Sequence, residues 1–576
     1  MSDEGTVYSY VKAHCGEEHK IIDRPAFAYV DKWAAVQPDK EVYVFRPSDE
    51  ERDAITYGEL APATERLAIW FKRQFHVTKG DHVGILSLNR MAFVLCDLAL
   101  SRLGVVVVRL YATMDSKVEL TRILSVTNCR LLLVQPGSMP SIHAVVPSLT
   151  SHDSSTGTRL VSSQLPKLEH VVVLSGDQEY PGTILLPHYG SINVSDGEVE
   201  ELRAIQATIT LDDNCTLYST SGSTGIPSFV MLSQEAALQF PNQCLIRCGF
   251  TEEDRFYCDR PIAHIGGNPR LALPFGGALI IADTQKTVAG QDGSFLLRVL
   301  RDERVTCGVT FPYALYDIVT TSKDENDFKD MHIKYLIFGG QMTNIEVISA
   351  VKKTLNVPLV NLYGTTEIGD IMCTALSDPL QVVSKYSGHV LPGVEVKIVD
   401  RHTGEILPRG QVGALALRKS VRWRYWDDEE KMKARHDADG YFYPGDMARM
   451  EESGMLEIVG REDDMMSVGT VKVYPASIEK KICQHPAVDK AIVFGVPDAR
   501  LYEVIGAAIL AKPGYDVTSS EIMASFHDSV SKEDLMSGSS MAPKFVWILE
   551  SFPKTSSGKI DKKRLKQHCI EELNQQ

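Results

Sequence analysis

Six short runs of apolar, mostly β-branched residues constrain this chain more than any other feature. They fall at 82–86, 105–108, 131–134, 171–174, 278–282 and 335–338. A strand with one face in water alternates apolar and polar residues. Several of these runs are apolar at successive positions, so both of their faces must be covered. Helices do that covering in parallel sheets, and residues 91–102, between two of the runs, have helical character. The alternation predicts α/β layers. With 576 residues, 44% of them hydrophobic and 23% charged, the chain is long enough for more than one cored domain.

The texture then changes along the chain. Residues 135–169 are rich in Ser, Thr and Pro and read largely as a surface insertion. From 388 to 417, short strand-like runs are separated by the turns Leu391-Pro392-Gly393 and Leu407-Pro408-Arg409-Gly410, which predicts a small β subdomain. After Gly460 comes a compact tail with strands at 491–494 and 505–510 and a helix near 520–529. The expected architecture is a large N-terminal domain, 1–461, of two α/β-layered sheets, with a β-barrel-like subdomain at about 385–461. A small mobile α+β domain, 462–576, follows it.

Net charge is −15, spread along the chain without a basic stripe, which excludes nucleic acid as an expected partner. Cys244, Cys248 and Cys258 lie close together, but no second pair sits at zinc-site spacing. The cysteines read as buried free thiols of a reducing compartment. Asp3, Glu4, Glu17 and Glu18 argue against a transit peptide, and no apolar run reaches the length of a membrane span. The cytoplasm is the expected location.

Four segments carry candidate chemistry. Tyr218-Ser219-Thr220-Ser221-Gly222-Ser223-Thr224-Gly225 is rich in hydroxyls and glycine, and its backbone N–H groups can line a polyphosphate. No Gly-Lys-Ser/Thr closes it, so it is not a Walker loop. A helix opens after it at Ser233, the expected N-cap. In Asn361-Leu362-Tyr363-Gly364-Thr365-Thr366-Glu367, Glu367 can hold Mg²⁺, Thr366 can donate to a phosphate, and Tyr363 offers a face to a purine. In Tyr443-Pro444-Gly445-Asp446, an ionised Asp446 accepts at both oxygens and suits a ribose diol, with Arg461 as a further donor. Lys559 stands on the tip Ser556-Ser557-Gly558-Lys559-Ile560. Taken singly, the Ser/Gly-rich segment reads more often as an ordinary loop, the 361–367 cluster as a strand-end turn with a solvated Glu, and the Gly-Asp pair as a common surface turn. A phosphate cradle in one domain and a cation on the other suggest an ATP reaction assembled by domain closure.

In their joint order, Ser-Gly-Ser-Thr-Gly, Tyr-Gly-Thr-Thr-Glu, Gly-Asp, Gly-Arg-x-Asp-Asp and Ser-Gly-Lys-Ile resemble the adenylate-forming superfamily, most nearly its acyl-CoA synthetases. The resemblance runs from about Thr56-Tyr57-Gly58-Glu59-Leu60 to Arg564-Leu565. It implies activation of a carboxylic acid by ATP and Mg²⁺ to an acyl-adenylate, with pyrophosphate released, then transfer to the thiol of coenzyme A. Carried over by position, Thr220, Ser221, Gly222, Ser223, Thr224 and Gly225 hold the β- and γ-phosphates. Tyr363, with Gly364 and Thr365, packs on adenine, Thr366 meets the α-phosphate, and Glu367 binds Mg²⁺. Asp446 and Arg461 take the ribose. Lys559 bridges the carboxylate and the α-phosphate. Asp463 is the hinge and Gly469 flanks the pantetheine channel. His264, Gly339, Gly340 and Gln341 line the acyl pocket.

Near His264 the residues Pro261, Ile262 and Ala263 offer no carboxylate for an α-amine, so a fatty or aryl acid is expected. A separate acyl carrier protein is the alternative acceptor, and a divergent homologue with weak or no ligase activity is the alternative protein. The chain departs from the family pattern in four places. Ser228-Phe229 replaces Lys-Gly after Ile226-Pro227. Ser467 replaces Lys, Arg424 replaces Gly before Tyr425-Trp426, and Ser477 replaces an acid.

Overall fold

The computed structural model describes residues 7–112, 117–151, 159–175, 180–220, 228–282, 293–311, 314, 318, 328, 330–340, 345–468, 471–473, 475–498, 502–528, 542–555 and 560–575. The six apolar runs are strands of two large sheets. One has eight strands, in the order Trp423–Tyr425, Ser228–Ser233, Asn214–Thr220, Val106–Tyr111, His82–Ser87, Leu131–Val134, His170–Val173 and Ile184–Leu185. From Asn214–Thr220 onward its pairings are parallel, while Ser228–Ser233 folds back antiparallel. The other has nine strands, with a parallel run from Leu359–Thr365 through Tyr335–Gly339, Cys307–Thr310, Arg255–Cys258 and Ala278–Ala282 to Glu41–Arg46.

Helices Tyr57–Phe75 and Met91–Ser101 share one hydrophobic core with strands of both sheets. Met91–Ser101 buries every residue except Ala92, which is how a helix between two apolar layers must read. Tyr57–Phe75 starts at a capping box: Thr56 Oγ1 accepts from Glu59 N at 3.3 Å, and Thr56 N donates to Glu59 Oε2 at 3.0 Å. Its sequence signal is Thr-x-x-Glu ahead of an apolar-periodic run.

The surface insertion expected at 135–169 is corrected. Helix Met139–Val145 buries Met139, Ile142 and Val145. Leu149, Leu160, Leu165 and Leu168 join them in the core beneath the eight-stranded sheet. Polar composition had masked apolar residues spaced to face one side.

The β subdomain is a five-stranded antiparallel sheet in the order Tyr10–Lys12, Val394–Val399, Val412–Lys419, Asp446–Met450 and Leu456–Arg461. Its first strand comes from the N-terminal segment, 385 residues away at the contact between Tyr10 and Glu395. The C-terminal part is built on a sheet of Met466–Val468, Val471–Val473, Val488–Asp498, Tyr502–Ala511 and Phe545–Leu549, with helices Pro475–Ile482, Ser519–Asp528 and Lys562–Gln575. Among the described residues, no helix is long and apolar enough to cross a membrane.

Candidate active site

In open α/β sheets, ligands bind beyond the carboxyl ends of the parallel strands. Three candidate segments leave their strands at such ends. Thr220 closes Asn214–Thr220, Gly339 closes Tyr335–Gly339, and Tyr363, Gly364 and Thr365 close Leu359–Thr365. Ser221, Gly222, Ser223, Thr224 and Gly225, together with Gln341, Gly469 and Lys559, lie outside the described residues.

The ends of the Ser/Gly-rich segment are fixed by a hairpin. Ser228 pairs with Thr220, and Thr220 Oγ1 donates to Ser228 O at 3.2 Å. The expected cap is present at Ser233, whose hydroxyl accepts from Ala236 N at 3.2 Å.

Tyr363 and Asp446, 83 residues apart, meet directly: the phenol donates to Asp446 Oδ2. Arg461 Nη1 donates to the other oxygen, Oδ1, at 3.1 Å. Strand pairing enforces this, because Asp446 and Arg461 are register partners. Burial raises the Tyr363 pKa, and the Asp446 charge adds to it, so the hydroxyl stays a donor. Burial alone would lower the Arg461 pKa, but Asp446 more than offsets it. A carboxylate has about four lone-pair sites, so Asp446 retains capacity for a diol.

Glu367 follows in the turn after Thr366, and Tyr425 donates to its Oε1 at 2.8 Å. Burial and then the Glu367 charge raise the Tyr425 pKa. Tyr425 is held by ring contacts with Trp423, which also packs on Phe442. Lys431 Nζ lies 4.3 Å above the Tyr425 ring and donates to Ser228 Oγ at 2.6 Å. The Arg435 guanidinium reaches the Gly445-Asp446 turn, where a Cβ built on Gly445 would stand 2.7 Å from Arg435 Nη1 and 3.1 Å from Arg461 Nη2. Sequence reasoning missed Tyr425, Lys431 and Arg435. Tyr425 belongs to the Tyr-Trp pair at 425–426 and the other two follow it, but no local spacing ties Tyr425 to Glu367, 58 residues away, or Lys431 to Ser228, 203 residues away. The donor set suits a magnesium polyphosphate: one carboxylate for the metal, and Lys431, Arg435 and Arg461 as cations around it.

In the segment expected to border the acid, His264 caps the turn Ile265–Gly267, its Nδ1 accepting from Gly266 N at 2.9 Å. Asn89 brackets the preceding segment. Its Nδ2 donates to Arg260 O at 3.0 Å, and its Oδ1 accepts from Ile262 N at 2.8 Å. Arg260 Nη2 donates to Gly339 O at 3.1 Å, which brings the 260–264 segment against Gly339. A Cβ on Gly339 would stand 2.1 Å from Leu362 O, whereas Gly340 faces open space with φ at +84°. Asp259 is buried and accepts from Phe311 N at 2.8 Å; burial pushes its carboxyl up to about 6, against the opposing pull of Arg260.

Asp463 lies in the turn between Leu456–Arg461 and Met466–Val468. Its neighbour Asp464 accepts from Lys562 Nζ, on the last helix, at 2.8 Å.

Two layered sheets and a small C-terminal sheet thus frame a carboxylate–tyrosine–arginine cluster at strand ends. The sequence pattern of the family described as AMP-binding enzyme matches residues 30–423, and that of the AMP-binding enzyme C-terminal domain matches 477–559. The chain belongs to the AMP-binding enzyme family, the adenylate-forming superfamily, and is an AMP-forming, acyl-CoA-ligase-like enzyme. It is 27% identical to the mitochondrial medium-chain acyl-CoA ligase ACSF2 of Bos taurus over 583 residues, 98% of this chain and 91% of the relative. The crystal structure of the anthranilate CoA ligase AuaEII with anthranoyl-AMP superposes with a TM-score of 0.77 at 21% identity, over 96% of this chain and 98% of that one. ATP-bound MatB from Rhodopseudomonas palustris superposes at 0.74 and 21% identity, covering 95% and 99%.

Proposed function

We propose that the protein converts a fatty or aryl carboxylic acid to its acyl-CoA in two steps. A carboxylate oxygen attacks the α-phosphorus of ATP, the bond to the bridging oxygen breaks, and pyrophosphate leaves with the electron pair. The CoA sulfur, as thiolate, then attacks the acyl carbonyl and AMP departs. The observation that carries this reading is the convergence of Tyr363, Asp446, Arg461 and Glu367 beside the Thr220–Ser228 hairpin end.

In this reading Asp446 and Arg461 hold the ribose, and Tyr363, Gly364 and Thr365 lie along adenine. Thr366 meets the α-phosphate, and Glu367 holds Mg²⁺. Thr220 and residues 221–225 surround the β- and γ-phosphates. His264, Gly339, Gly340 and Gln341 border the acid. Lys559 brings a cation to the two approaching anions, where it lowers the barrier most as charge builds on the phosphoryl oxygens. We place the domain boundary at 461/462, with Asp463 as the hinge about which the smaller domain turns between steps and Gly469 beside the thiol's path. The names of the cattle ligase and of AuaEII, one a medium-chain and one an aryl-acid ligase, support an acid without a required α-amine.

The test is acid-dependent exchange of labelled pyrophosphate into ATP over fatty, aryl and amino acids, with Lys559→Ala beside the wild type. Exchange with one acid class, reduced at least about 100-fold in the variant, is expected. A well-folded protein that binds ATP and exchanges with no acid sinks the reading. Acyl transfer to a carrier protein but not to free CoA would replace the second step only.

A further inference from the structure

The family pattern has a lysine directly after the phosphate segment, and this chain has Ser228 there. The structure brings an ammonium to Ser228 from a distant element. Ser228 opens its strand opposite Thr220, so its position at the foot of the hairpin is fixed. Strand Trp423–Tyr425 pairs along the other side, Val230 with Tyr425, and Trp426 N donates to Phe229 O at 2.8 Å. The chain leaving that strand therefore turns beside Ser228. There the helix Glu429–Ala434 begins, and Asp428 caps it by accepting from Lys431 N at 3.0 Å.

Lys431 is held at two points. Its Nζ donates to Ser228 Oγ at 2.6 Å and lies 4.3 Å above the Tyr425 ring. The Tyr425 hydroxyl in turn donates to Glu367 at 2.8 Å. The ammonium thus stands between the foot of the phosphate segment and the carboxylate proposed for Mg²⁺. An ammonium has three rotatable donors, and among the described residues Ser228 is the one that accepts from it. It is half-buried; burial lowers its pKa, Glu367 and Asp428 oppose that, and Arg435 and Arg461 reinforce it. Two guanidiniums and two carboxylates, Glu367 and Asp428, surround the ammonium, and with Mg²⁺ on Glu367 the balance there would favour a polyanion.

We propose that Lys431 supplies to the terminal phosphates of ATP the ammonium that the family pattern places at position 228. The inference rests on the ATP-dependent reading above. The rival account makes Lys431 a fastener that ties a short helix to the hairpin. The two differ in what they do to nucleotides: a ligand of the β- and γ-phosphates matters for ATP and not for AMP, whereas a fastener matters for both or for neither.

The experiment is calorimetric binding of Mg·ATP and of AMP to the full chain as wild type, Lys431→Met, Lys431→Gln, and Lys431→Met combined with Ser228→Lys. Lys431→Gln keeps a donor for Ser228 and so keeps the fastening. Both single variants are expected to weaken ATP about 10- to 100-fold while AMP stays within about twofold. The double variant, with its ammonium moved to position 228, is expected to recover most of the ATP affinity. Equal losses for ATP and AMP, no loss for either, or a double variant no better than Lys431→Met would overturn the proposal. The expected split in a protein that supports no pyrophosphate exchange would keep the assignment of Lys431 and remove the ligase reading, so the two fail separately.

Discussion

Asp446 accepts one hydrogen bond from a tyrosine and one from an arginine, and those two bonds fix its carboxylate plane toward the strand ends. Asp446→Asn puts an N–H where one acceptor stood, so it must face either the Tyr363 hydroxyl or the Arg461 guanidinium. The ribose is common to ATP and AMP. Asp446→Asn is therefore expected to weaken both nucleotides by similar factors, about 10- to 100-fold, a result opposite in kind to that expected of Lys431 variants. A loss confined to ATP would remove Asp446 from the ribose. Side chains with this logic were legible in the sequence when they lay inside a short motif: Tyr363, Glu367, Asp446 and Arg461 all did. Lys431 and Tyr425 were not legible, because their meaning depends on a strand pairing that brings 425 opposite 230. Nothing in the chemistry of residues 429–434 alone separates that lysine from its neighbour Lys433 on the same helix.

The turn that carries Asp446 shows how an element constrains a site. Gly445 has φ of +87°, a left-handed conformation that costs an L side chain about 1 kcal/mol. A Cβ there would also meet the ends of Arg435 and Arg461. Those are the tips of flexible side chains, so they move away at small cost in stability, but Arg461 moves off Asp446. Gly445→Ala is expected to lower unfolding free energy by about 1–2 kcal/mol and to weaken AMP binding beyond what that destabilisation explains. A denaturant midpoint shift with unchanged AMP affinity would show that the turn supports the fold and not the ribose site. Elements were legible where local chemistry marked their ends, as at the Ser233 cap; the Thr56–Glu59 capping box carried a similar signal that went unread. They were misread at 135–169, where composition was weighed above periodicity. The N-terminal strand Tyr10–Lys12 was missed for a different reason: three residues on a sheet edge carry no pattern of their own.

At the scale of the whole molecule, the two large sheets are joined through a charge cluster as well as through hydrophobic contact. Asp97, on the fully buried helix Met91–Ser101, accepts from Arg109 Nη2 of the eight-stranded sheet at 2.7 Å. It also accepts from Arg270 Nε at 2.9 Å, in the turns that lead into Ala278–Ala282 of the nine-stranded sheet. All three side chains are at 0% exposure. Burial alone would raise the Asp97 pKa, but Arg109 and Arg270 outweigh it and hold the carboxyl below its ordinary value. A carboxyl depressed in the folded state stabilises above its unfolded pKa and loses that contribution as pH falls through the folded one. Asp97→Asn leaves two buried guanidiniums short of a counter-charge, so at pH 7 it is expected to cost about 3–5 kcal/mol. The gap between variant and wild type should hold down to about pH 4 and narrow below it, because there Asp97 takes up a proton in the unfolded chain while the folded carboxylate, held lower, does not yet. Urea unfolding of both proteins from pH 7 to pH 3 reads this directly, and a gap independent of pH would mean that Asp97 acts by packing and not by charge. The same cluster reaches the segment proposed to border the acid, since Arg109 Nη1 donates to Ile262 O at 3.4 Å, two residues before His264. Loosening the triad should therefore raise KM for the acid more than KM for ATP, which would tie the joint between the sheets to the wall of the pocket.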